Sequence, residues 1–288
     1  MQGIQNYQLT ESSIQTSDGL KYHYRVYRPT SGKANKVLVV HHGFGEHGGR
    51  YENLVSILSG SGYVIYIPDA RGHGKSEGAR GNTPQFESFA EDLDRLVDLA
   101  LKENKVNQIY LLGHSMGALV TVTYAKKAAR HQKLIALVVS GIPLKVKTDA
   151  VMEVKKFFAG FLSAVTPSLT MPAGLNINYL SHDKEVVDAY ANDPLVHGNV
   201  SSYLGNFMLK SEDNVLPGAE YIQVPALVFH GEEDMVALKE GSELLYQRLG
   251  SKDKTLKIFP GLFHETMNEE GDSKLEVLNL VKDWLNKH

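Results

Sequence analysis

The stretch Gly113-His114-Ser115-Met116-Gly117 constrains the fold of this chain more than any other. It follows an apolar run, Ile109-Tyr110-Leu111-Leu112, that reads as a buried strand. It precedes Ala118 to Ala125, which reads as a packed helix. A G-x-S-x-G between a strand and a helix makes a turn so tight that the serine backbone is strained. The glycines carry no Cβ, so strand and helix approach closely. The serine hydroxyl then projects from the carboxyl edge of a sheet, at the start of a helix. A plain Gly-Ser-Gly turn has the same letters, but the strand before and the helix after favour a nucleophile.

The rest of the chain supplies the sheet. Tyr22 to Tyr27 alternates, and Val37-Leu38-Val39-Val40-His41-His42 reads as a buried parallel strand. Tyr51 to Leu58 looks helical, and Tyr63 to Pro68 is the next strand. Phe86 to Leu101 places its apolar residues at helical spacing, with Pro84 near the start. Leu134 to Ser140 is a strand after the elbow helix. From about Lys145 to Pro217 no clear buried strand appears. Val151, Val154, Phe158, Phe161, Leu162 and Val165 mark an apolar helix there, and Thr166 to Ser168 and Met171 to Gly174 are loop-like. The rhythm resumes with strands at Ala226 to His230 and Leu256 to Phe259, and helices at Lys239 to Leu249 and Leu275 to Leu285. The prediction is an α/β fold, with a mostly parallel central sheet and helices on both faces. Residues 1–144 and 218–288 form the core, and 145–217 a mostly helical cap. The cap should cover the carboxyl edge of the sheet, where open α/β sheets bind ligands.

A serine hydroxyl needs an adjacent base, itself oriented by a third group. Phe229-His230-Gly231-Glu232-Glu233-Asp234 delivers a carboxylate to the edge that carries Ser115, and Phe259 to His264 delivers a histidine. The chain order serine, carboxylate, histidine fits one known arrangement of this chemistry. Ser115 is therefore the candidate nucleophile, Asp234 the orienter and His264 the base and then acid. Glu233 is the alternative carboxylate, and the remaining histidines are alternatives to His264. Acyl transfer also needs donors aimed at its oxyanion. The backbone N–H of Met116 is one candidate. The other is the N–H of Phe44, in the glycine-rich loop His42-Gly43-Phe44-Gly45-Glu46-His47-Gly48-Gly49. A phosphate cradle is the competing reading of that loop, but it lacks the Gly-Lys-Ser/Thr ending.

Other polar clusters read as structure. Asp69-Ala70-Arg71-Gly72-His73-Gly74-Lys75-Ser76 fits a hydrogen-bonded turn bracing the loops better than a metal site. Strand alternation turns His41 and His42 to opposite faces, which argues against a shared metal. No cofactor is expected. The chain has no cysteine, which removes disulfides and a cysteine nucleophile together. Its net charge is −3 without a basic stripe, so nucleic acid is not an expected partner. No signal-like start and no run of about 20 apolar residues appears, which predicts a cytoplasmic protein. The cap helix bearing Phe157, Phe158, Phe161 and Leu162 is first of all packing. Its apolar face would also line an acyl tunnel or dip into a membrane surface, near Lys155 and Lys156.

With these pieces placed, the chain resembles the monoacylglycerol lipase and lysophospholipase family of α/β-hydrolases. The stretches that carry the resemblance are His42 to Tyr51, Asp69 to Gly78, Gly113 to Gly117, Asn192 to Leu195, Gly231 to Asp234 and Asp253 to His264. The resemblance runs over nearly the whole chain and is weakest in the cap. It implies hydrolysis of a single acyl ester with a polar head, a monoacylglycerol or a lysophospholipid. It also implies the same triad and oxyanion positions. Ala118 stands where many members carry a third glycine, outside the elbow motif. A carboxylesterase or aminopeptidase acting on small substrates is the competing enzyme. Acyl transfer to an acceptor other than water uses the same residues, and a ligand-binding protein on a hydrolase fold is the non-enzyme alternative.

Overall fold

The computed structural model describes residues 4, 6–32, 34–147 and 160–288. Among them, eight strands form one sheet: β1 (Tyr7–Gln15), β2 (Lys21–Pro29), β3 (Lys36–His41), β4 (Tyr63–Pro68), β5 (Ile109–His114), β6 (Leu134–Ser140), β9 (Ala226–Gly231) and β10 (Lys254–Phe259). Their spatial order is β1-β2-β4-β3-β5-β6-β9-β10. From β4 to β10 every pairing is parallel, while β2 runs antiparallel to both its neighbours. From β3 the chain first winds outward to β4, then crosses back to β5. The switch point therefore lies between β3 and β5, where a crevice opens at the carboxyl edge.

Alternation along the strands divides the core into two layers. Val37 and Val39 of β3 join the layer under α2 (Glu87–Asn104), α3 (Met116–Ala125) and the helix Lys239–Arg248. Leu38 and Val40 face the layer under α1 (Glu52–Ile57) and the final helix, Gly271–Lys287. The central strands are buried on both faces, which explains their near-continuous apolar runs.

Three strands differ from expectation. The edge strand β1 is mostly exposed and polar, so neither periodicity nor burial marks it in the sequence. Within the cap, β7 (Thr170–Pro172) pairs antiparallel with β8 (Asn199–Ser201), so Met171 and Pro172 are strand rather than loop. Three residues are too few for a pattern to show. The expected apolar cap helix falls largely outside the described residues; 160–165 is helical.

Among the described residues, the chain contributes no further strand to the main sheet between Ser140 and Ala226. The described part of this segment is tied to loops at the carboxyl edge. His197 N–H donates to the Gly45 carbonyl (2.9 Å), and Ser201 N–H to that of Gly81 (2.8 Å). Phe207 stacks on Phe86 at 4.1 Å. Beneath these loops, buried Asp69 accepts the N–H groups of Gly48 and Lys75 (both 2.8 Å) and the Arg25 guanidinium (2.7 Å). The turn after β4 thus braces the loop after β3. Burial opposes ionisation of Asp69, yet its His23 and Arg25 partners hold the carboxyl far below its usual range. No described helix is long and apolar enough to cross a membrane.

Candidate active site

Ser115 ends β5 and opens α3 with φ 54° and ψ −123°, a conformation costly for a residue with a Cβ. The surroundings over-determine it. Any Cβ on Gly113 would lie 2.4 Å from the Gly117 carbonyl oxygen, and one on Gly117 would lie 2.2 Å from that of His41. Both positions of the motif therefore demand glycine. Ser115 N–H is held by the Ser140 carbonyl (2.9 Å), which fixes the turn to the neighbouring strand. Ala118 is fully buried within α3.

The turns after β9 and β10 bring two more groups to this edge. Ser115 Oγ donates to His264 Nε2 (2.9 Å), and His264 Nδ1 donates to Asp234 Oδ2 (2.6 Å). The other Asp234 oxygen accepts the N–H groups of Val236 and Ala237 (2.8 and 2.9 Å). Glu233, the alternative carboxylate, is exposed, whereas Asp234 is buried. Burial opposes the charge on Asp234, but His264 and His230 outweigh it and hold its pKa well below the usual range. Burial would likewise lower His264. The charge and hydrogen bond of Asp234, helped by Glu265 and Glu46, raise it above its ordinary value instead.

Phe44 and Met116 line the same chamber as Ser115. Neither backbone N–H has a hydrogen-bond partner among the described residues. A Cβ on Gly43 would sit 3.1 Å from Ser115 Cβ, so the loop after β3 rests directly against the nucleophile. His41 and His42 do not diverge as alternation predicts: their rings stack at 5.6 Å. The strand ends at His41, so His42 already follows loop geometry.

Several participants were not read from the sequence. Glu46 accepts the Gly43 N–H (2.6 Å) and the Tyr51 hydroxyl (2.8 Å). Arg50 bridges Glu46 (2.7 Å) and, bidentately, Glu265 (2.7 and 2.8 Å). The spacing of Glu46 and Arg50, four apart, was the available signal. His230 Nε2 supports Asp234 Oδ2 at 2.9 Å, again four residues away. His114 lies beside His264, ring to ring at 4.8 Å, and burial followed by that neighbour pushes its pKa down to about 3. Glu269 accepts the N–H groups of Phe263 (2.7 Å) and His182 (2.9 Å), joining the His264 loop to the cap.

Above Ser115 lies a chamber of about 690 Å³ between the sheet edge and the segment that contains β7 and β8. Its walls are mainly carbon, including Met171, Leu175, Val200, Met208, Leu209 and Met235. Among the described residues, the two acidic side chains in the wall, Glu46 and Glu265, are both paired with Arg50.

A family model described as serine aminopeptidase, S33, matches residues 32–271. A monoacylglycerol lipase of Mycolicibacterium smegmatis is 33% identical over 280 residues, covering 97% of this chain and 98% of that protein. The monoglyceride lipase of Homo sapiens is 31% identical over 275 residues, covering 94% of this chain and 88% of that one. Among solved structures, the monoacylglycerol lipase of Paleococcus ferrophilus superposes with a TM-score of 0.80 at 31% identity, over 98% of this chain and 99% of that chain. A soluble variant of the Saccharomyces cerevisiae monoglyceride lipase, solved with a substrate analogue, gives a TM-score of 0.87 at 24% identity, over 99% and 97% of the two chains. At that identity the likeness concerns the fold.

Proposed function

Because the chain belongs to the monoacylglycerol lipase family of α/β-hydrolases, we propose that it hydrolyses monoacylglycerols or similar single-chain lipid esters. Ser115 attacks the ester carbonyl while His264 takes its proton. Asp234 holds the imidazole in the tautomer whose Nε2 accepts, and stabilises the imidazolium that forms. The Phe44 and Met116 amides receive the oxyanion. The tetrahedral intermediate collapses, His264 protonates the departing alcohol, and an acyl-serine remains. Water, deprotonated by His264, releases the fatty acid and restores the serine.

The observation that carries this reading is the 2.9 Å contact of Ser115 with His264 at the floor of a 690 Å³ carbon-walled chamber. Such a chamber suits an acyl chain, whose burial contributes about 0.8 kcal/mol per methylene. Recognition of a substrate amine would instead call for an unpaired acid, and both wall acids among the described residues are committed to Arg50. The cap carries the means to meet a lipid surface. Phe161 and Val165 are 61% and 62% exposed, and Leu169 and Tyr179 of the same segment are exposed as well. Residues 145–217 are thus read as a substrate-selecting cap on a catalytic core.

The test is a matched panel of monoacylglycerols of graded chain length, a lysophosphatidylcholine, a short p-nitrophenyl ester and an aminoacyl arylamide, with Ser115→Ala as blank. The reading expects the monoacylglycerols to be preferred. Activity confined to the arylamide would contradict it.

A further inference from the structure

The oxyanion role assigned to Phe44 requires its N–H to be aimed before the reaction begins, since donors that must reorient lose much of their value. Its neighbours are glycines on both sides, and Gly45 sits at φ 78°, so the local backbone does not set the aim by itself. The Gly43–Phe44 peptide is trans, so its C=O and N–H point in opposite directions. Whatever holds the Gly43 carbonyl therefore sets the direction of the Phe44 N–H. Glu46 holds the Gly43 N–H, but that group belongs to the preceding peptide.

The Gly43 carbonyl is held by His42, whose Nδ1 lies 2.7 Å away. The other ring nitrogen, Nε2, accepts the N–H of Ala70 at 2.8 Å, just beyond the end of β4. A carbonyl only accepts and an amide N–H only donates. The ring must therefore carry its proton on Nδ1 and leave Nε2 bare. The side chain is fully buried. Burial, together with nearby His73 and His41, holds its pKa well below the ordinary value, so the ring stays neutral.

We propose that His42 is a positioning residue: by donating Nδ1–H to the Gly43 carbonyl, it aims the Phe44 N–H at the oxyanion formed on attack by Ser115. The proposal rests on the reading of Ser115 as nucleophile and assigns a second-rank partner to that chemistry.

Two substitutions separate the ring nitrogens. In His42→Asn the side-chain amide sits near the Nδ1 position and keeps a donor for the Gly43 carbonyl. In His42→Gln the longer amide reaches the Nε2 position, still accepts from Ala70, and gives up the donor. On a monoacylglycerol, His42→Asn should keep kcat within about threefold of the wild type. His42→Gln should lose kcat by about 100-fold with KM changed less than about twofold. Equal losses in the two variants, or full kcat in His42→Gln, would overturn the proposal. Long-range ¹H–¹⁵N spectra of the histidine-labelled wild type at pH 7 give a second readout, independent of whether any variant folds. They should show His42 as the neutral Nδ1–H tautomer, and an Nε2–H tautomer would overturn the proposal. Ser115→Ala run alongside separates the two levels. If it stays active, the reading of the site fails; if it is inactive while the His42 variants match each other, only the role of His42 fails.

Discussion

The helix that begins at Ser115 and the cap helix Lys184–Asn192 are of similar length but opposite character. In α3 nine of ten residues are buried. In Lys184–Asn192 only Tyr190 is buried, its ring lying under the Arg50 guanidinium at 4.7 Å. The first helix is packed on nearly every side, and Ser115 is fixed at its start. The second buries one side chain fully, half-buries Val186 and Val187, and exposes the rest. The difference teaches where each kind of information would be stored under the proposed function. That reading puts the chemistry on elements packed into the core, and substrate choice on a thin layer where exchange of a side chain costs little stability.

This division can be broken by experiment. The largest effect belongs to the core. Asp234→Asn keeps the size of the side chain but favours the wrong imidazole tautomer, so kcat should fall by about 10⁴-fold. The fall should be the same for a long-chain monoacylglycerol and a short p-nitrophenyl ester; a loss restricted to one of them would blur the division. Next comes pH. The pKa of His264 is raised above its ordinary value, and the imidazolium cannot accept the serine proton. Free-enzyme kcat/KM should therefore fall about tenfold per unit as pH drops below a midpoint above about 6.5. Profiles for both esters should share that midpoint. The smallest effect belongs to the cap. Met208→Trp narrows the chamber from the helix Ser202–Leu209. It should lower kcat/KM for a long-chain monoacylglycerol by about tenfold while changing the short ester by less than about twofold. A uniform loss on both would mean that this helix serves the chemistry as well.

The same division explains what the sequence disclosed. The placement of the elbow, Asp234 and His264 was legible because each follows a strand, the first two after continuous apolar runs and the third after the shorter Leu256 to Phe259, and a parallel sheet carries all strand ends to one edge. The Glu46–Arg50–Glu265 network was not, because its members come from two loops 215 residues apart in sequence and no local pattern pairs them. The stacking of His41 on His42 was misread because alternation was carried one residue past the end of β3. The cap strands were missed because three-residue strands owe their existence to each other rather than to any periodicity. The edge strand β1 was missed because a mostly solvated strand needs few apolar residues.

The central claim is that Ser115 is the nucleophile. The most direct measurement is stoichiometric labelling with a fluorophosphonate, followed in parallel by peptide mass mapping and monoacylglycerol hydrolysis. The account predicts one adduct per chain, on Ser115, with activity lost in proportion to labelling and no adduct in Ser115→Ala. Hydrolysis that persists when Ser115 is fully labelled, or an adduct on another residue that tracks the loss of activity, would contradict it.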